Sequence, residues 1–125
     1  MRITENVYRT SGILYGTNSN TYCIDTGEGL VLIDAGFSEK QYEIMRTRRK
    51  EDGLGNKKLR DLFITHGHFD HAGNGWLLQK DGVKVYMSAE DGAAVKSGDE
   101  RTLGSLFGRK FRAFTPDGKV RDGQT

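Results

Sequence analysis

His66, His68 and His71 are the three histidines of a 125-residue chain, and they stand with Asp70 inside one stretch, FITHGHFDHAG, residues 63–73. Imidazole and carboxylate together hold borderline divalent metals, zinc first, with iron or manganese behind it. In an extended segment residues two apart project to the same side, so His66 and His68 can reach one metal together. Asp70 joins them if the extension continues, and His71 turns to the other side. Ligands that leave one short loop in two directions favour two adjacent metal sites. Gly67 and Gly73 let the loop turn and approach an ion without a Cβ in the way. The apolar run LFIT, 62–65, reads as a buried strand, and ligands carried at a strand end inherit the rigidity of the sheet. A chance cluster of surface histidines is the competing reading, and the His-x-His-x-Asp-His spacing behind a buried strand speaks against it.

The elements that must position this loop alternate between strand and helix. NVYR (6–9) is a short strand, followed by a turn-rich connection, GILYGTNSN, with Gly12, Gly16 and two Asn. TYCID (21–25) and LVLID (30–34) are β-rich runs joined by TGEG, a hairpin in which Gly27 and Gly29 supply the awkward dihedrals. Ser38 with Gln41 forms a capping-box pattern before a helix from about Glu39 to Glu51 that ends near Gly53. GNGWLLQ (73–79) starts a short helix, VKVYM (83–87) alternates as a strand, and Ser88 with Asp91 caps the helix AEDGAAVK. From Ser97 the chain turns polar and Gly-rich, with no assignable element. The run RTRRK (46–50) reads as a solvated helix face.

Composition bounds the rest. Charged residues make up 29% and hydrophobic residues 35% of the chain, which suits one globular domain or a piece of one. A net charge of +2 is too mild to argue for nucleic acid. The single cysteine, Cys23, excludes an internal disulfide and reads as a buried, inert thiol. No apolar run approaches membrane-spanning length. The start MRITENVYRT lacks the apolar core of a signal peptide, so a cytoplasmic protein is expected.

At this point THGHFDH resembles the His-x-His-x-Asp-His signature of the metallo-β-lactamase superfamily. GLVLIDAGF is similar to that family's strand-then-Asp-x-Gly element, and TNSNTYCID to the strand before it. Together they cover residues 6 to 96 in the family's order. One departure is Ala72-Gly73-Asn74, where a Gly pair is common. His71 separates the chain from the best-known zinc β-lactamases, and His68 argues against the flavodiiron reductases. The resemblance implies an α+β fold, a four-layer αββα sandwich of which this chain is roughly the N-terminal half. It implies that His66 and His68 ligate a first metal, and that Asp70 and His71 ligate a second. Asp34 would sit beneath the motif and orient it by hydrogen bonding. The cofactor implied is zinc, two ions per complete domain, with iron or manganese possible.

The family draws a third histidine, a bridging aspartate and a last histidine from its second half, whereas this chain has no histidine after His71. Its final KVRDGQT resembles the strand and turn that precede the missing ligand. Residues 1–125 are therefore expected to be a partial domain and a poor enzyme alone. For the complete protein the resemblance implies hydrolysis, with metal-bound hydroxide attacking a small ester, thioester, lactone or lactam. Asp70 is the catalytic candidate that helps move a proton. The partner expected is a small-molecule substrate, with no nucleic acid and no membrane, and the oligomeric state is left open. A nuclease of the same fold and a non-catalytic metal-binding fragment are the alternatives.

Overall fold

The computed structural model describes residues 1–12, 15–17, 19–104 and 111–121. In chain order its elements are β1 (Val7–Ser11), β2 (Thr21–Asp25), β3 (Leu30–Ile33), α1 (Glu39–Glu51), β4 (Leu59–Phe63), α2 (Phe69–Ala72), α3 (Gly75–Lys80), β5 (Lys84–Met87), α4 (Ala89–Ser97) and β6 (Gly118–Lys119), with a 3-10 turn at Glu100–Thr102. Asn18 of the turn-rich connection, and the KVRDGQT run beyond Arg121, lie outside the described residues.

All six strands form one sheet in sequence order. The pairs β1–β2 and β2–β3 are antiparallel, and β3–β4, β4–β5 and β5–β6 are parallel. Parallel neighbours need a crossover connection. Helix α1 makes the first, α2 with α3 the second, and α4 lies on the third. The hairpin turn between β2 and β3 uses Gly27 at φ 85° and Gly29 at φ 145°, as the TGEG spacing predicts.

The pairing registers sort the strand residues into rows. Tyr8, Cys23, Leu32, Leu62 and Val85 are consecutive partners across five strands, and the last four are fully buried. Tyr42 of α1, Leu78 of α3, Val95 of α4 and Phe114 belong to the same core cluster, so the core lies between this face and the helices. The alternate row is Arg9, Tyr22, Ile33, Phe63 and Tyr86. It is only partly covered: Phe63 is 37% exposed and stacks on Tyr86 with ring centroids 5.2 Å apart. An α+β sheet with helices packed on one face and an apolar row on the other is half of a layered sandwich in form.

Helix α1 begins and ends where the sequence predicts. Ser38 Oγ accepts the Gln41 N–H at 3.2 Å, but the return arm of the capping box is different. Gln41 Oε1 accepts from the Phe37 N–H at 2.9 Å, because the Gln41 side chain turns inward instead of over Ser38. The reading of RTRRK as a solvated face fails at Arg49, which is 7% exposed. Gln41, Met45 and Arg49 follow one another at four-residue spacing and form the buried stripe of α1. Burial holds the Arg49 pKa below its ordinary value, and its Nη1 has no hydrogen-bond partner among the described residues.

Strand β4 lies earlier than the LFIT run suggests. It stops at Phe63 because the Thr65 N–H donates to a side chain, Asp34, instead of a neighbouring strand. Cys23 is buried, and burial pushes its thiol up to about 11. No helix among the described residues is long and apolar enough to cross a membrane.

Candidate metal centre

The histidine loop follows β4, Asp34 follows β3, and Asp91 stands in the first turn of α4 after β5. Three adjacent parallel strands therefore deliver these groups to one edge of the sheet, the carboxyl edge where open α/β sheets collect ligands.

The extended run predicted for the loop stops at His68. His68 has φ −67° and ψ 147° and serves as the N-cap of α2, so Phe69, Asp70, His71 and Ala72 form one helical turn. That turn replaces a two-residue alternation with a 100° rotation per residue. His71 is thereby not turned away from His66: the two rings lie 4.1 Å apart, centroid to centroid. His66, Asp70 and His71 each offer a ligand atom, and these atoms all lie within 4.8 Å of one another. His68 is exposed and stands outside this group, its ring edge-on to His66 at 4.7 Å.

Asp34 is the buried base of the cluster, 5% exposed and in the left-handed region at φ 64°. Left-handed backbone is uncommon outside glycine, and Asp and Asn tolerate it best. Its carboxylate accepts the Thr65 N–H at 2.7 Å, lies 2.8 and 3.0 Å from the Thr65 hydroxyl, and lies 2.8 Å from His71 Nδ1. This bond with Asp34 holds the His71 pKa above the ordinary imidazole value, against the effect of burial. It also leaves His71 Nε2 facing the Asp70 carboxylate at 3.5 Å. His66 shifts the other way. Burial, then the neighbouring imidazoles of His71 and His68, hold its pKa below the ordinary value. Two imidazoles and a carboxylate converge here, and His66 is kept neutral with a lone pair to offer. That donor set fits a divalent metal of the zinc type.

Several positioning residues were not legible as such in the sequence. Asp91, read only as part of a helix cap, does donate its N–H to Ser88 Oγ at 3.2 Å, and its Oδ1 also accepts the Gly67 N–H at 3.1 Å. Ser19 Oγ donates to the Asp70 carbonyl at 2.6 Å and receives Gln41 Nε2 at 3.0 Å. The Gln41 amide also reaches Ser11 Oγ at 3.0 Å. A buried chain of polar side chains thus ties α1 and β1 to the backbone of α2. Thr65 stands inside the THGHFDH run itself, where only the histidines and the aspartate invite attention. Beside α2 lies an apolar hollow of about 670 Å³ whose walls include Phe37, Phe69, Trp76, Leu77 and Phe111. Arg112 stacks over the Trp76 ring at 3.9 Å.

The sequence profile described as metallo-beta-lactamase superfamily matches residues 14–125. A probable metallo-hydrolase of Methanocaldococcus jannaschii is 36% identical over 99 residues, which are 78% of this chain and 46% of the relative. The metallo-beta-lactamase IND-1 of Chryseobacterium indologenes is 29% identical over 112 residues, 86% of this chain and 46% of that protein. Among solved structures, the FEZ-1 metallo-beta-lactamase of Legionella gormanii superposes with a TM-score of 0.81 at 26% identity, covering 98% of this chain and 46% of its own. The chain spans just under half the length of these three proteins.

Proposed function

The chain belongs to the metallo-beta-lactamase superfamily, and from that membership we propose that it carries the first half of the metal site of a zinc-dependent hydrolase. His66 and His68 are assigned to a first ion, Asp70 and His71 to a second, and Asp34 to the support beneath them. The observation that carries this reading is the convergence of His66, Asp70 and His71 ligand atoms within 4.8 Å, with Asp34 bonded behind His71. The substrate proposed is a small ester, thioester, lactone or lactam. The apolar hollow of about 670 Å³ beside α2 supports a small molecule, since ligand pockets usually fall between about 300 and 1,000 Å³.

Zinc, when bound, supplies a Lewis acid and a nucleophilic water at neutral pH. The chain's own residues do the rest. Asp34 holds the His71 ring so that Nε2 faces the cluster. The burial of His66 keeps that ring unprotonated, so a metal does not compete with a proton for it. Asp70, half-buried on the helical turn, is the carboxylate best placed to take a proton from a water in the cluster. The remaining ligands of a catalytic pair are assigned to sequence outside this chain, which makes residues 1–125 a partial domain and a weak catalyst in isolation.

The test is metal content by mass spectrometry after zinc loading and dialysis, combined with hydrolysis of thioester, lactone and β-lactam substrates by the full-length protein. Zinc retention that falls in both His66→Ala and His71→Ala is the expected result. Equal metal content in wild type and a protein carrying both substitutions would sink the reading.

A further inference from the structure

Thr65 has one hydroxyl proton and two partners. Its Oγ1 lies 2.8 Å and 3.0 Å from the two Asp34 carboxylate oxygens, and 3.0 Å from Nδ1 of His66. An ionised carboxylate can only accept, so the hydroxyl proton is directed to Asp34. The oxygen then has only lone pairs left to offer His66, and Nδ1 must be the donor. The same carboxylate faces His71 Nδ1 at 2.8 Å, where again the ring must donate. One aspartate after β3 therefore dictates the tautomer of two imidazoles, His71 directly and His66 at one remove. Thr65 itself is exposed, so water competes for the ring nitrogen. Two features hold the hydroxyl in place against that competition. The Thr65 N–H is fixed to Asp34 at 2.7 Å, and a β-branched side chain is stiff at χ1.

We propose that Thr65 is a positioning residue of the metal centre: its hydroxyl relays Asp34 to His66 and holds that ring as the Nδ1–H tautomer, with the Nε2 lone pair free for the ion. A ligating histidine ordinarily donates its other ring N–H to a fixed partner, and that partner sets ring orientation and basicity. For His71 the partner is a carboxylate. For His66 it is a hydroxyl already polarised by the same carboxylate, so the two ligands are coupled through one group. The significance of the relay rests on the metal-site reading above, while the tautomer itself can be observed without metal.

The experiment uses the metal-free full-length protein labelled with 15N-histidine, held about two pH units above the ordinary imidazole pKa. Long-range 1H–15N correlation spectra assign each ring's tautomer. Wild type should show His66 as Nδ1–H. Thr65→Val, which keeps the shape and removes the hydroxyl, should show a mixed or reversed tautomer at His66 with His71 unchanged. Thr65→Ser should restore the wild-type pattern. Zinc affinity, measured by competition with a chromophoric chelator, should fall about 10- to 100-fold in Thr65→Val and stay near wild type in Thr65→Ser. His66 found as Nε2–H in the wild-type spectrum overturns the proposal even if the valine variant fails to fold. An unaltered tautomer and affinity in a folded Thr65→Val protein overturns it as well. Wild-type protein that binds no zinc removes the proposed function, and the relay is then judged on its spectrum alone.

Discussion

The Gly67 N–H donates to Asp91 Oδ1 at 3.1 Å, which ties the glycine between two histidines to the first turn of α4. The approach is close: a Cβ on Gly67 would meet the Asp91 carbonyl oxygen at 3.2 Å. Asp91→Ala removes this clamp and the acceptor of the Ser88 hydroxyl. We expect a loss of about 1–2 kcal/mol in denaturant unfolding, accompanied by weaker zinc binding. Asp91→Asn retains an oxygen for Gly67 and should recover most of both. Wild-type stability and affinity in Asp91→Ala would show that the loop does not need the clamp.

Asp34→Asn tests the base of the cluster. Asparagine tolerates the left-handed backbone at φ 64°, so the fold should survive. The new NH2 meets either the Thr65 hydroxyl or the His71 ring, both of which need an acceptor. Zinc affinity should drop about 10- to 100-fold, read by chelator competition with circular dichroism as the folding control. An unchanged affinity would remove Asp34 from the site.

Cys23 predicts an alkaline limit to stability. Its thiol is raised from 9.0 to about 11 in the folded chain, chiefly by burial. A raised folded pKa contributes stability that is complete below the unfolded value and is lost as pH rises through the folded one. The window is therefore pH 9 to about 11, and the loss is about 2–3 kcal/mol at its upper end. Urea titrations of wild type and Cys23→Ala should diverge only in that window. Iodoacetamide should label Cys23 in urea and spare it in the native protein. Parallel pH profiles for the two proteins would contradict the assignment.

The row Tyr22, Ile33, Phe63 and Tyr86 predicts association. Phe63 at 37% exposure, stacked on Tyr86, is the centre of a partly uncovered apolar face, and such faces mark interaction surfaces or aggregation liabilities. Residues 1–125 expressed alone should self-associate with rising concentration in size exclusion and bind a hydrophobic dye. Phe63→Gln should reduce both. A concentration-independent monomer with no dye binding would mean that this face is adequately covered.

Long periodic or sharply punctuated elements were legible in the sequence. Helix α1 spans Glu39–Glu51 as its cap and breaker predict, and the β2–β3 hairpin follows its glycines. Helix α2 was not legible, because four residues hold barely one turn and carry no periodic signal. Its presence reverses the direction expected for His71. Arg49 misled for a related reason: a run of like charges looks solvated until the four-residue stripe with Gln41 and Met45 is known. The histidines and Asp70 announce themselves by type. The groups that aim them do not. Ser19, Gln41 and Asp91 reach the loop through tertiary contacts that only the fold creates.

The side-chain anchors of the histidine loop, from Ser19 through Asp34 and Gln41 to Asp91, all precede the end of α4 in the chain. Synthesis runs from the N-terminus, so each of these anchors is already in the nascent chain when the residues after Ser97 are added.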